Sequence, residues 1–302
     1  MSKFFSETSR AQQSHPVPTN TNVDIHQAVS SLKQNLDGTS PAATAAEPAP
    51  VVKQFLSNTL ASQVAAGRLE KSRAIRLPRQ AEKSFLVTQY NAQMQAAVEA
   101  YRTLRTRLVK QQTKSGARSL VVSSAGPEEG KTLTTFNLAL CYANIQNWPV
   151  LAVDADLRKG GLSRLFGDPE SPGLAAILEG MSDPQSAVLR TDVPGLSILP
   201  AGETKISPPE LFAGARWKEF IGWASETFRL VIVDSPPALN MADWELILAS
   251  CESALLIVRN RKTSREALAN MLAQVDAKKV AGVVFNAAEG ANHKYYSYTN
   301  KP

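Results

Sequence analysis

The chain has little sulfur and few imidazoles: two cysteines, Cys141 and Cys251, and three histidines in 302 residues. Each cysteine sits inside an apolar segment with no Cys, His or Asp at metal-ligand spacing. That excludes a disulfide framework or a cysteine-based metal site and leaves two buried free thiols. No apolar run approaches the roughly 18 residues a membrane span needs, and the N-terminus has no stretch of signal-peptide character. The protein is therefore expected to be soluble and cytosolic. Large apolar residues are also scarce over positions 1–50, which are rich in Ser, Thr, Gln, Asn, Pro and Ala. Such a stretch buries too little surface to offset the entropy of ordering, so it reads as a disordered tail.

Charge of one sign is concentrated in the same region. The formal net charge is +6, but the first 80 residues carry nine Lys+Arg against five Asp+Glu, and residues 81–302 carry 24 against 22. Val51 to Leu69 has helical spacing (Val52, Phe55, Leu56, Leu60, Val64), and Arg68, Lys71, Arg73, Arg76 and Arg79 follow it. This reads as a short helix and a basic linker, either a solvated connector or a surface for anionic lipid or an acidic partner. The organisation expected is an N-terminal region over 1–80, a globular domain over 81–290 and a flexible tail over 291–302.

From residue 81 onward, apolar strands alternate with helical stretches, the pattern of an α/β domain with a mostly parallel sheet flanked by helices. Strands are expected at Ser119–Ser123, Val150–Val153, Leu196–Leu199, Leu230–Val233, Ala254–Val258 and Val280–Phe285. Several are unbroken Val/Ile/Leu runs, as in strands buried on both faces. Helices are expected near Asn91–Gln112, Thr132–Asn147, Pro209–Thr227, Ala242–Ser250 and Ser264–Val275.

Three motifs carry the chemistry. After the first strand comes Ala125-Gly126-Pro127-Glu128-Glu129-Gly130-Lys131-Thr132, a phosphate loop in the strand-to-helix context that the motif requires. Backbone N–H groups at a helix start and the positive end of its dipole hold phosphate oxygens. Lys131 would then reach the β- and γ-phosphates and Thr132 would bind Mg²⁺. Gly126, Glu129, Gly130 and Leu133 complete the expected surround of the nucleotide. Glu128 stands where such loops often have glycine for backbone freedom, and with Glu129 it would bring two carboxylates near the phosphates. The strand at Val150 ends in Asp154-Ala155-Asp156-Leu157-Arg158, whose two acids at i and i+2 are expected to point together into the crevice at the sheet's C-terminal edge. The strand at Leu230 ends in Asp234-Ser235-Pro236-Pro237, an apolar run with a terminal acid suited to the magnesium shell.

With these motifs in order, residues 90–302 resemble the bacterial tyrosine kinase family, in particular its cytoplasmic Gram-positive capsule type (CpsD/CapB-like). The three Walker elements lie at Ala125–Thr132, Val153–Arg158 and Val231–Pro237, on the deviant-Walker P-loop plan shared with partition and septum-site ATPases. Two further features match the kinases. Glu99, Arg102 and Arg105, in Glu99-Ala100-Tyr101-Arg102-Thr103-Leu104-Arg105, fit the family's E-x-x-R-x-x-R element and share one helix face. Half of the six tyrosines, Tyr295, Tyr296 and Tyr298, fall in the last eight residues. The tail is shorter in tyrosines than the family's, and Arg158-Lys159-Gly160 departs from its usual Arg-Arg-Pro.

The resemblance implies an ATP- and Mg²⁺-dependent tyrosine autokinase of exopolysaccharide or capsule synthesis. It assigns Lys131, Asp154, Asp156 and Asp234 to catalysis, with Asp154 as acceptor of the phenol proton. It assigns Thr132, Asp156 and Asp234 to the metal, and Asn286 to the adenine edge. Tyr295, Tyr296 and Tyr298 become phosphoacceptors, and Glu99, Arg102 and Arg105 hold a homo-oligomeric ring. The implied partner is a membrane polysaccharide co-polymerase that brings the chain to the inner face of the plasma membrane, with no nucleic acid involved. The alternatives are a partition-type switch ATPase, which normally carries a lysine where this loop has Gly126, and a nucleotide-binding scaffold that hydrolyses nothing.

Overall fold

A computed structural model of the chain describes residues 62–78, 95–167, 171–239 and 241–288. The disordered tail expected over 1–50, most of the basic linker's flanks and the tyrosines of the C-terminal tail lie outside these residues. Among the described residues no helix is long and apolar enough to cross a membrane.

Eight strands form one sheet: β1 (Ala74–Ile75), β2 (Ser119–Ser124), β3 (Val150–Asp154), β4 (Leu189–Thr191), β5 (Leu196–Leu199), β6 (Leu230–Asp234), β7 (Ser253–Arg259) and β8 (Val280–Asn286). Their order is β1-β4-β5-β3-β6-β2-β7-β8. Every pairing is parallel except β4 with β5. β2, β3 and β6 are buried along their whole length, because Leu-Val-Val, Val-Leu-Ala-Val and Leu-Val-Ile-Val present apolar atoms to helices on both faces. The mostly parallel sheet flanked by helices is the fold class expected from the sequence.

The helices include α1 (Gln95–Ser115), α2 (Lys131–Ala143), α3 (Gly161–Leu165), α4 (Gly173–Glu179), α5 (Pro184–Ala187), α6 (Pro208–Ala213), α7 (Ala215–Thr227), α8 (Ala242–Ser250) and α9 (Arg265–Ala273). All of α2 is buried except Thr132 and Leu133 in its first turn, so only that turn is open to a ligand. Phe136, Leu138, Leu140 and Tyr142 of α2 join Leu120, Val122, Ala152 and Ile232 in one core cluster.

Three differences from the sequence expectation have physical causes. The helix expected over Pro209–Thr227 is two helices, broken at Gly214, which has extended backbone (φ −71°, ψ 159°) and is a poor helix former. β4 is too short to show a period. β1 lies inside the stretch read as a basic linker, between Arg73 and Arg76, with no apolar run to announce it. It is fixed instead by distant hydrogen bonds: Arg190 N–H donates to the Arg73 carbonyl at 2.9 Å, Ser72 Oγ to the Gln185 carbonyl at 2.7 Å and Leu77 N–H to Asp192 Oδ1 at 3.1 Å. Arg68, just before it, donates to Thr227 Oγ1 at 3.0 Å at the end of α7.

Candidate nucleotide site

The phosphate loop leaves β2 and enters α2 through Gly130, which has φ +97° and gives the helix no side-chain cap. The first N–H groups of α2 are therefore available to an external acceptor, the arrangement that binds anions at helix starts. Serines at the strand ends tie this loop to its neighbour. Ser124 Oγ donates to the Gly126 carbonyl at 2.7 Å, and Ser123 Oγ to the Pro236 carbonyl at 3.0 Å. Sequence reasoning passed over both, although two buried hydroxyls closing an apolar strand require partners and so mark a junction.

Glu128 has φ +58°, the left-handed region that costs a residue with a Cβ about 1–2 kcal/mol. Its carboxylate does not crowd the phosphate position. It is exposed and paired with Lys262 Nζ at 2.9 Å, while Arg259 Nη1 donates to its carbonyl at 2.9 Å. The hydrogen bond from Lys262 holds the Glu128 carboxyl below the ordinary carboxylate range. Glu129 is the buried member of the two, and its Oε2 has no hydrogen-bond partner. The Glu129 carbonyl accepts from Asn286 Nδ2 at 2.9 Å, and Asn286 Oδ1 accepts from the Ala287 N–H at 2.9 Å. Asn286, expected at the adenine edge, is thus tied to the phosphate loop from the end of β8.

The acids separate in a way the sequence did not indicate. Asp154 and Asp234 are register partners on adjacent strands and both are fully buried. Burial pushes both carboxyls above the usual range, with the charge of Asp156 adding to it at Asp154 and the charge of Asp154 at Asp234. Asp154 Oδ2 accepts from both Ser163 N–H and Ser163 Oγ at 2.7 Å, and Oδ1 accepts from the Asp156 N–H at 3.2 Å. β3 ends at Asp154, so Asp156 lies in the turn beyond and the same-side rule for i and i+2 in a strand does not reach it. Asp156 lines the cavity, and Asp154 sits behind it with its oxygens engaged. Ser163, which also accepts from the Ala201 N–H at 2.8 Å through Oγ, is a site residue that no motif announces.

Asp234 Oδ1 accepts from Thr135 Oγ1 at 3.3 Å, and Oδ2 is buried with no partner. The neighbouring Thr132 hydroxyl and the charge of Lys131 draw its carboxyl back down. An orphaned carboxylate oxygen beside the Thr132 hydroxyl fits a cation. Among the described residues no three of His, Cys, Asp and Glu gather at one point. Mg²⁺ takes one or two carboxylates plus substrate phosphates rather than an all-protein cage.

Above these residues is a cavity of about 540 Å³, walled by Gly126 and Pro127 of the phosphate loop, Asp156 and Lys159, Pro236, and Lys262 on the far side. Arg158 also borders it and forms a fork on buried Asp243 at 2.9 and 3.2 Å, fixing the turn after β3 to the start of α8.

The expected oligomerisation residues make contacts within the chain. Glu99 and Arg102 pair with each other on the exposed face of α1, and Arg105 Nη1 donates to the Cys141 carbonyl at 3.0 Å near the end of α2. Tyr101 is half-buried beside Thr134, and Tyr142 is fully buried with its hydroxyl on Gln112 at 2.9 Å. Burial pushes both phenols up.

A parallel sheet with a phosphate loop at its centre and acids at the adjacent strand ends is the architecture of the P-loop nucleotide-binding proteins. No protein-family model matches the chain. The chain is 31% identical over 202 residues to the tyrosine-protein kinase YwqD of Bacillus subtilis, a match covering 66% of this chain and 85% of that relative. It is 31% identical over 221 residues to the putative tyrosine-protein kinase EpsB of Ralstonia nicotianae, covering 68% of this chain and 29% of the relative, so it spans less than a third of that protein. Among solved structures, the kinase domain of the Escherichia coli tyrosine kinase ETK is similar at a TM-score of 0.63 and 26% identity, over 76% of this chain and 94% of that one. The chain belongs to the bacterial tyrosine-protein kinase family.

Proposed function

We propose that the chain is an ATP-dependent protein-tyrosine autokinase acting in exopolysaccharide or capsule synthesis, at the inner face of the plasma membrane beside a membrane polysaccharide co-polymerase. The observation that carries this reading is the unpartnered Asp234 oxygen beside Thr132 at the head of an uncapped helix, in a chain whose relatives are named tyrosine-protein kinases. Lys131 and the first N–H groups of α2 would bind the phosphates, while Thr132, Asp156 and Asp234 would hold Mg²⁺. When bound, the ion neutralises charge on the transferring phosphoryl group. Asp154 would hold the turn that carries Asp156 to the cavity wall, and the phenol proton would pass to this pair of carboxylates. Positioning and charge neutralisation supply most of the rate in such transfers. Tyr295, Tyr296 and Tyr298 would be the acceptors, presented to a neighbouring copy in a ring that uses Glu99, Arg102 and Arg105. The full burial of Tyr142 supports acceptors elsewhere.

The test is phosphotyrosine formation by the full chain with Mg-ATP. Lys131→Met is expected to abolish it, since a neutral thioether cannot offset charge on the β- and γ-phosphates. Undiminished phosphotyrosine in this variant would remove the phosphate loop from the mechanism.

A further inference from the structure

Glu128 is the residue that the phosphate-loop pattern least accommodates, and its surroundings give it a role. It adopts a left-handed backbone that glycine would take freely, yet it carries a charged side chain into the loop that receives phosphates. Two cations meet it, Arg259 at the end of β7 on its carbonyl and Lys262 just beyond the strand on its carboxylate, each at 2.9 Å. Lys262 also lines the cavity. There it faces Gly126 and Pro127, the first residues of the loop, together with Asp156 and Pro236 from the two acid-bearing turns. That is the end of the site where the terminal phosphate and its metal belong in a P-loop protein.

We propose that Lys262 is a nucleotide-positioning residue contributed by the β7–α9 segment, that it contacts the terminal phosphate of a nucleoside triphosphate, and that Glu128 holds it in reserve while the site is free of nucleotide. The inference rests on the nucleotide-binding part of the function proposed above. A lysine on a flexible stem exchanges an exposed carboxylate for a phosphate of higher charge with little reorganisation, since both partners sit on the same rim. The side chains are 38% and 83% exposed, so their pairing contributes little to stability and is easily exchanged. The exchange discriminates triphosphate from diphosphate, because only the former extends to the Gly126 end of the cavity. It also explains how a carboxylate is tolerated at position 128: Lys262 neutralises it until phosphates arrive, and afterwards it stays outside with Arg259 still on its carbonyl.

The experiment is a double-mutant cycle on Mg-ATP and Mg-ADP affinity of the full chain, using Lys262→Met, Glu128→Gln and both together, read with fluorescent nucleotide analogues. Lys262→Met is expected to weaken ATP about tenfold and ADP by much less, as for loss of one charge-assisted contact. Glu128→Gln is expected to tighten ATP, and Lys262→Met is expected to cost at least as much in the Gln background as in the wild type. The proposal is overturned if Lys262→Met has no effect once residue 128 is Gln, for the lysine would then serve only to neutralise the carboxylate. Equal loss of ATP and ADP affinity would also overturn it. A wild-type chain that binds neither nucleotide would sink the kinase reading itself, an outcome distinct from either of these.

Discussion

Replacing Gly130 with alanine places a Cβ 2.0 Å from Asn286 Nδ2 and 3.3 Å from Asn286 Cγ, on a backbone already at φ +97°. Left-handed φ costs a residue with a Cβ about 1–2 kcal/mol. The asparagine must also swing away, losing its 2.9 Å bond to the Glu129 carbonyl, which adds about 0.5–1.5 kcal/mol. Together these come to about 2–3 kcal/mol, a fall in Tm of roughly 4–12 °C for a domain of 150–250 residues. Asn286→Ala alone removes only the hydrogen bond and should cost about 1 kcal/mol. The double variant should melt close to Gly130→Ala, because the single glycine change has already sacrificed the Asn286 contact. Thermal unfolding of the full chain followed by circular dichroism measures all three. An unchanged Tm for Gly130→Ala would refute the strain argument, and full additivity in the double variant would refute the coupling to β8.

Two further outcomes follow from the site. Burial raises the Asp154 and Asp234 carboxyls in the folded chain, so the native state retains protons that the unfolded chain has released above the ordinary carboxylate value of about 4. Stability without nucleotide is fully present below that value and falls as pH rises through the raised folded values. Denaturation between about pH 5 and about pH 8 should show this loss, and Asp234→Asn should flatten it; an identical slope in the variant would remove Asp234 from the linkage. Replacing Tyr295, Tyr296 and Tyr298 together with Phe keeps the rings and removes only the hydroxyls, so autophosphorylation should vanish with ATP binding intact. Mass spectrometry finding phosphate on Tyr101 or Tyr142 alone would contradict the tail assignment.

The parts of the fold legible in the sequence were those fixed by local chemistry. Leu120-Val121-Val122, Val150 to Val153 and Leu230 to Val233 are unbroken apolar runs because helices cover both faces of the sheet, and such runs end where the sheet ends. The phosphate loop was legible because the small residues and Lys131 must occur in that order for backbone N–H groups to converge on an anion. What stayed illegible depends on partners far away in the chain. β1 is held by bonds to residues more than a hundred positions on, among them Ser72 to Gln185. Glu128 looked like an intruder among phosphates until Lys262, 134 residues later, was seen to draw its side chain outward. Asp154 and Asp156 looked equivalent by spacing, and the end of β3 between them made one a buried anchor and the other part of the cavity wall.

The same distant contacts sort the carboxylates by what remains free to hold a cation. Glu128 is satisfied by Lys262, and Asp243 by the Arg158 fork, which sets the turn carrying Asp156. Asp154 accepts three hydrogen bonds and has no oxygen to spare for a ligand in its present setting. Asp156 accepts the Lys159 N–H on Oδ1 at 3.1 Å and borders the cavity, and Asp234 keeps an oxygen with no partner at all. A buried carboxylate oxygen left unpaired costs free energy that a bound cation recovers. Glu129 and Asp234 both keep an unpartnered buried oxygen, and of the two it is Asp234 that lies beside Thr132, with Asp156 on the cavity wall. The charge of Lys131 already offsets part of that cost at Asp234. Thr132 on α2 and Asp234 at the end of β6 would hold such a cation, next to the N–H groups at the start of α2 that would hold a phosphate.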